Sequence, residues 1–109
     1  MINEVEKLIK YNSLLNIYGE LLSLTQKEIL TDYFEFNLSI SEIAESRNVS
    51  RAAVEDAIKK GQKKLDEFEL KLHILEKNKE ISSLLNELKN EKDSLKREEI
   101  ISKIERIVE

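Results

Sequence analysis

Cysteine, proline and tryptophan are all absent from this chain, and glycine occurs only twice. Without cysteine there can be neither disulfides nor thiolate metal sites, a composition that suits a reducing cytosol. Without proline the main helix breaker is missing, so long helices can run uninterrupted. Long apolar runs are missing too. The opening MINEVEKLIKYNSLLNIYGE carries a charge every few residues, and no later run approaches the roughly 18 apolar residues that a membrane span needs. The expectation is a soluble, cytoplasmic protein with no export signal and no membrane insertion. Net positive charge is also lacking: the balance is −4, with 9 basic against 10 acidic residues up to position 64 and 9 against 12 from position 65 onward. The whole molecule therefore cannot attract nucleic acid, and any such contact must come from a local patch.

What remains is the composition of an all-helical protein: 37% charged and 40% hydrophobic residues in 109 positions, enough for one domain with a core of its own. The most informative stretch is LSISEIAESRNVSRAAVEDAIKKGQKKL, from Leu38 to Leu65. A helix start is marked by a Ser or Thr whose oxygen can accept a backbone N–H, with apolar residues one before and four after. Thr25 between Leu24 and Ile29, Ser39 between Leu38 and Ile43, and Ser50 between Val49 and Val54 all fit this pattern. Glu28 and Glu42 complete capping boxes for the first two. Between the second and third caps, Ala44 is small enough for two helices to cross, and Asn48 stands where a left-handed residue is needed to turn the chain.

These signals predict a first helix from Asn3 to Tyr18, ended by Gly19, with Val5, Leu8, Ile9, Leu15 and Ile17 as its apolar surface. A second helix runs from Gln26 to Phe36 and presents Ile29, Leu30, Tyr33, Phe34 and Phe36. The third is short, Ile40 to Arg47, and buries Ile40, Ile43 and Ala44. The fourth starts after Ser50 and continues past Leu75, because Gly61 costs only about 1 kcal/mol within a helix. Its stripe is Val54, Ala57, Ile58, Leu65, Phe68, Leu72 and Leu75, the last four at coiled-coil spacing. Ile81, Leu84, Leu85 and Leu88, then Ile100, Ile101, Ile104, Ile107 and Val108, write two more amphipathic helices. With Asp93 as an N-cap between them, they form an antiparallel hairpin that folds onto the fourth helix, onto a partner subunit, or onto both. The domain reading is a single helical domain over 1–109, with a helix-turn-helix head over about 20–65 and a helical extension over about 66–109.

The helix-turn-helix, its cap spacing and Lys59-Lys60-Gly61-Gln62-Lys63-Lys64-Leu65 resemble region 4 of bacterial RNA polymerase sigma factors, over LTQKEIL, EIAESRNVS and the helix from Val54 to Leu65. Over its whole length, from the N-terminal MINEVEKLIKYNSLLNIYGELLSLTQKEIL to the charged C-terminal hairpin, the chain is more similar to the YlxM family. That family consists of helix-turn-helix proteins associated with the signal recognition particle. The resemblance implies an all-α, sigma-region-4-like head with a long recognition helix and a C-terminal helical hairpin. It also implies a regulatory role near the particle's GTPase.

Within that frame the nucleic-acid candidates are Ser50 and Arg51 on backbone phosphates, Ala53, Glu55 and Asp56 facing the groove, and Lys59, Lys60, Lys63 and Lys64 along a strand. Glu55 and Asp56 depart from the Arg, Lys, Asn and Gln that sigma-type base readout favours. They weaken the case for strong promoter-type binding, although a carboxylate can accept from cytosine N4. The other reading of the lysines is a solvated helix face balanced by Asp66, Glu67 and Glu69. A DNA-binding regulator and a protein adaptor that docks the signal-recognition-particle GTPase or its RNA complex thus both stay open. Leu65, Phe68, Leu72 and Leu75 form either a core stripe under the hairpin or a homodimer seam, and a homodimer is expected.

His73 has no second histidine or cysteine to join it in a metal site, so it reads as a surface or interface residue. Glu98-Glu99 and Glu55-Asp56 lack any accompanying pocket signature. No GxxxxGK[ST], GxSxG or HExxH motif is present, and neither catalytic residues, metal nor cofactor are expected.

Overall fold

The computed structural model describes residues 3–109, all of whose regular elements are helical. They are α1 (Glu4–Tyr18), α2 (Leu24–Leu30), α3 (Ile40–Arg47), α4 (Arg51–Leu72), α5 (Ile74–Asn90) and α6 (Ser94–Val108). A 3₁₀ turn at Gly19–Leu21 follows α1, and a π-helical turn at Thr31–Glu35 continues α2. The chain divides into two compact units, one ending at Leu72 and one running from His73 to Glu109.

In the first unit α1, α2 and α3 all pack on α4. Tyr11, Leu14, Leu15 and Tyr18 are the buried face of α1, while Val5 and Ile9 are 64% and 61% exposed. The expected apolar surface of α1 is therefore corrected. Its core face follows the i, i+3, i+4, i+7 row through two tyrosines, and only Leu15 of the expected set is buried. Asn3 caps α1 by accepting from the Glu6 N–H at 2.8 Å.

The cap of α2 is also corrected. Ser23, not Thr25, accepts the Gln26 N–H at 3.2 Å, and α2 starts at Leu24 instead of at Gln26. Thr25 has the flanking apolar pair and Ser23 does not, since Lys27 stands four after it, yet Ser23 takes the cap and Leu24 and Thr25 enter the helix.

Beyond Leu30 the rod widens into the π turn. The Asn12 side-chain amide donates to the Phe34 carbonyl at 2.8 Å, and the Thr31 hydroxyl donates to the Lys27 carbonyl at 2.7 Å. This places Phe34 in the core, its ring stacked on Tyr11 with centroids 5.1 Å apart. Phe36 is left 62% exposed, contrary to its expected place on the apolar face.

Ser39 and Glu42 form the expected capping box of α3, with the Glu42 N–H donating to Ser39 Oγ at 3.1 Å and the Ser39 N–H to Glu42 Oε1 at 3.0 Å. Asn48 is left-handed at φ 55°, and the Asn48 and Val49 N–H groups donate to the Glu45 and Ala44 carbonyls. That is a Schellman ending. Ser50 Oγ then accepts the Ala53 N–H at 3.0 Å and α4 begins.

Gly61 proves to be more than a tolerated residue. It is buried where α4 meets α2, and a Cβ there would lie 2.5 Å from Leu30 Cδ1. The expected single rod past Leu75 is not observed, because His73 takes φ 55° and ends α4 at Leu72. Histidine tolerates this left-handed conformation better than most side chains, so a stop was written without glycine, asparagine or proline.

In the second unit α5 and α6 pack against one another as a hairpin. Asp93 caps α6, its carboxylate accepting the Leu95 N–H at 2.9 Å. The Arg97 guanidinium closes the turn by donating to the Leu88 and Glu91 carbonyls, both at 2.8 Å.

Candidate nucleic-acid interface

The turn from α3 into α4 is held from both sides. Arg47, in the last turn of α3, donates from Nη1 to Glu28 Oε2 at 2.9 Å and from Nη2 to Asp32 Oδ2 at 2.9 Å. These carboxylates, Glu28 first, raise the guanidinium pKa above its ordinary value. The helix preceding the turn is thereby tied to α2 and the π turn. Val54, Ile58, Gly61 and Leu65 of α4 are buried, and this fixes which face of α4 meets solvent.

All nine expected nucleic-acid residues lie at the start of α4 or along it, and all are exposed. They do not share one face. At about 100° per residue, Glu55 and Lys64 stand roughly 180° apart around the axis. Ala52, Asp56, Lys59 and Lys63 point most directly away from the buried row. Glu55 lies on one flank, and Ala53, Lys60 and Lys64 lie on the other. Lys64 donates to Gln26 Oε1 of α2 at 3.2 Å, and Lys60 pairs with Asp56 at 2.9 Å. Lys59 and Lys63, a single turn apart, make no ion pair among the described residues. With Tyr11, Gln62, Leu70 and the carboxylates Asp66 and Glu67 they border a shallow groove of about 360 Å³.

Helix α1 draws two of the neighbouring carboxylates toward itself, while Glu67 stays beside the lysines in the groove. Asp66 accepts the Tyr11 hydroxyl at 2.9 Å and pairs with Lys10 at 3.3 Å, and Glu69 accepts the Tyr18 hydroxyl at 2.7 Å. Two of the three carboxylates expected to balance the lysines are thus spent on α1. Burial, then the bond to Asp66, pushes the Tyr11 hydroxyl up to about 12. Sequence reasoning missed Tyr11, Tyr18, Lys10 and Arg47. Tyrosines at i and i+7 in α1 facing acids at i and i+3 in α4 are the only signal that could have found the first two.

The proposed seam is not continuous. Leu65 is fully buried within the single chain, Phe68 lies half-buried with its ring 5.8 Å from Tyr18, and Leu72 is 47% exposed. Leu75 belongs to α5 in the second unit. Leu65 is core, and the four residues do not form one helical stripe. His73 Nδ1 lies 3.1 Å from Glu76 Oε2, and no cluster of metal-binding side chains occurs among the described residues. No helix among them is long and apolar enough to cross a membrane.

Helices α3 and α4, joined by the Asn48 turn and backed by α1 and α2, define an all-α helix-turn-helix protein. The family described as "Putative helix-turn-helix protein, YlxM / p13 like" matches residues 5–107, and the chain belongs to that family. It is 41% identical to a UPF0122 protein of Fusobacterium nucleatum over 100 residues, covering 92% of this chain and 97% of the relative. A UPF0122 protein of Clostridium kluyveri is 37% identical over 107 residues, 95% of this chain and 96% of that one. The UPF0122 protein YlxM of Bacillus subtilis is 38% identical over 98 residues, 90% and 89% of the two chains.

Proposed function

We propose that this chain is a cytoplasmic regulator that binds duplex DNA through the exposed face of α4 and acts by occupancy, without catalysis. The observation that carries this reading is the exposed pair Lys59 and Lys63, which form no ion pair among the described residues, on the outer face of a helix-turn-helix second helix. Ser50 and Arg51 at the helix start would hold one stretch of backbone, and the two lysines would hold phosphates further along. The likeness of Leu24 to Leu65 to sigma region 4 supports the same docking mode. The experiment is a salt series on random duplex DNA with the wild type and Lys59→Glu/Lys63→Glu. Losing two phosphate contacts should flatten the logarithmic salt slope by about 2. Duplex binding that is undetectable at low salt, or indifferent to the reversals, overturns the reading.

A second reading rests on Glu55 and Asp56, whose charge opposes a phosphate-lined groove. In it the same face docks a protein, and the YlxM resemblance points to the signal-recognition-particle GTPase or its RNA complex. Association with that GTPase, or a changed turnover rate, would favour the adaptor over the DNA regulator. A homodimer accompanies either reading. The support for it is the α5–α6 hairpin: only Ile100 is buried there, and Leu85 and Val108 are 44% and 66% exposed. Sedimentation of the full chain at monomer mass would remove the dimer.

A further inference from the structure

The two adjacent acidic side chains near the start of α4 differ in their placement. Asp56 is committed to Lys60 at 2.9 Å, whereas Glu55 makes no hydrogen bond or ion pair among the described residues and is exposed. Glu55 sits in the second turn of α4, with Arg51 one turn before it and Lys59 one turn after. At about 100° per residue, Arg51 and Lys59 lie about 40° to either side of Glu55 around the axis, so all three share one flank of α4. A helix docked with Arg51 and Lys59 on phosphates therefore holds Glu55 between two cations that offset its repulsion from the backbone. A carboxylate in that position has acceptors only. Of the groups that line the major groove, it can take a hydrogen bond only from the exocyclic amines, cytosine N4 above all. Ala52 lies on the preceding turn beside it, small enough to leave the base edge accessible.

We propose that Glu55 is the specificity-determining residue of the α4 face, selecting a duplex that presents a cytosine amino group at the base pair it meets. The proposal rests on the duplex-DNA reading above and adds a base preference to it. Glutamine at this position offers both a donor and an acceptor, and so matches adenine N7 and N6 instead.

The full chain is incubated with a duplex library randomised over one helical turn, and the retained fraction is sequenced for wild type, Glu55→Gln and Lys63→Glu. Wild type should enrich cytosine at one position, Glu55→Gln should move that enrichment to adenine, and Lys63→Glu should weaken retention of all sequences alike. Discrimination at the read position should be roughly tenfold. Circular dichroism guards against misfolding, which an exposed glutamate to glutamine change should not cause. Retention without base preference, or an unchanged preference in Glu55→Gln, overturns this inference and leaves duplex binding standing. No retention of any duplex at low salt overturns both.

Discussion

Gly61 and Leu30 meet where α4 crosses α2 so closely that a Cβ on Gly61 would lie 2.5 Å from Leu30 Cδ1 and 3.1 Å from Cγ. Leu30 is fully buried. Overpacking of this kind costs about 1 to 3 kcal/mol, against about 1 kcal/mol gained from replacing glycine within a helix. Gly61→Ala should thus lower stability in urea denaturation by about 1 kcal/mol. Leu30→Ala should make the second substitution nearly harmless, giving a strongly non-additive cycle. A stabilised single variant would show that the crossing can relax.

The capping assignments separate Ser23 from Thr25. Ser23→Ala and Ser39→Ala should each cost about 1 kcal/mol, and Thr25→Ala should be close to neutral. Equal losses at Ser23 and Thr25 in thermal melts would contradict the observed start of α2.

Hydrogen bonds from Ser39, its backbone N–H first, hold the Glu42 carboxyl below its ordinary pKa. Because the folded value is depressed, the stabilisation is present above the unfolded pKa and is lost as pH falls through the folded one. Glu42→Gln should therefore narrow the stability difference from wild type under acid conditions. A gap that is constant from neutral to acid pH would count against the capping box.

Tyr11 titrates in the opposite sense. Its folded pKa is raised from 10.0 to about 12, chiefly by burial, so the stabilisation is complete below pH 10 and disappears as pH climbs toward 12. Tyrosinate absorbance should show a late-titrating group that Tyr11→Phe removes. A late titration that Tyr11→Phe leaves unchanged would contradict the Tyr11–Asp66 bond.

On the DNA reading, Asp56→Asn releases Lys60 and removes one negative charge from the α4 face. Low-salt affinity for random duplex should rise severalfold, and the salt slope should steepen by about 1. Unchanged affinity, read by fluorescence anisotropy, would place that flank of α4 away from the backbone.

The helix-turn-helix was legible because its signals are local. Ser39, Glu42, Asn48 and Ser50 each act within a few residues of themselves, and the predicted span of α3 matches the observed one. The hairpin was legible for the same reason, from apolar periodicity and the Asp93 cap. What escaped depended on distant partners or on ambiguous residues. Tyrosine can be core or surface, and only the meeting of α1 with Asp66 and Glu69 decides it. Gly61 reads as a mild defect until Leu30 is placed beside it. His73 ends α4 through a backbone conformation for which its side chain gives little warning. The exposed lysines of α4 were legible, but the bond of Asp66 to Tyr11 depends on α1 and could not be read along α4.

The two tyrosine bridges join residues 55 and 51 positions apart, the longest-range side-chain hydrogen bonds described in the first unit. Closing such loops costs more chain entropy than forming the adjacent turn. During synthesis α1 leaves the ribosome well before Asp66 and Glu69 exist, and its two tyrosine hydroxyls must wait for α4 to emerge. The part of the head made first is therefore completed last.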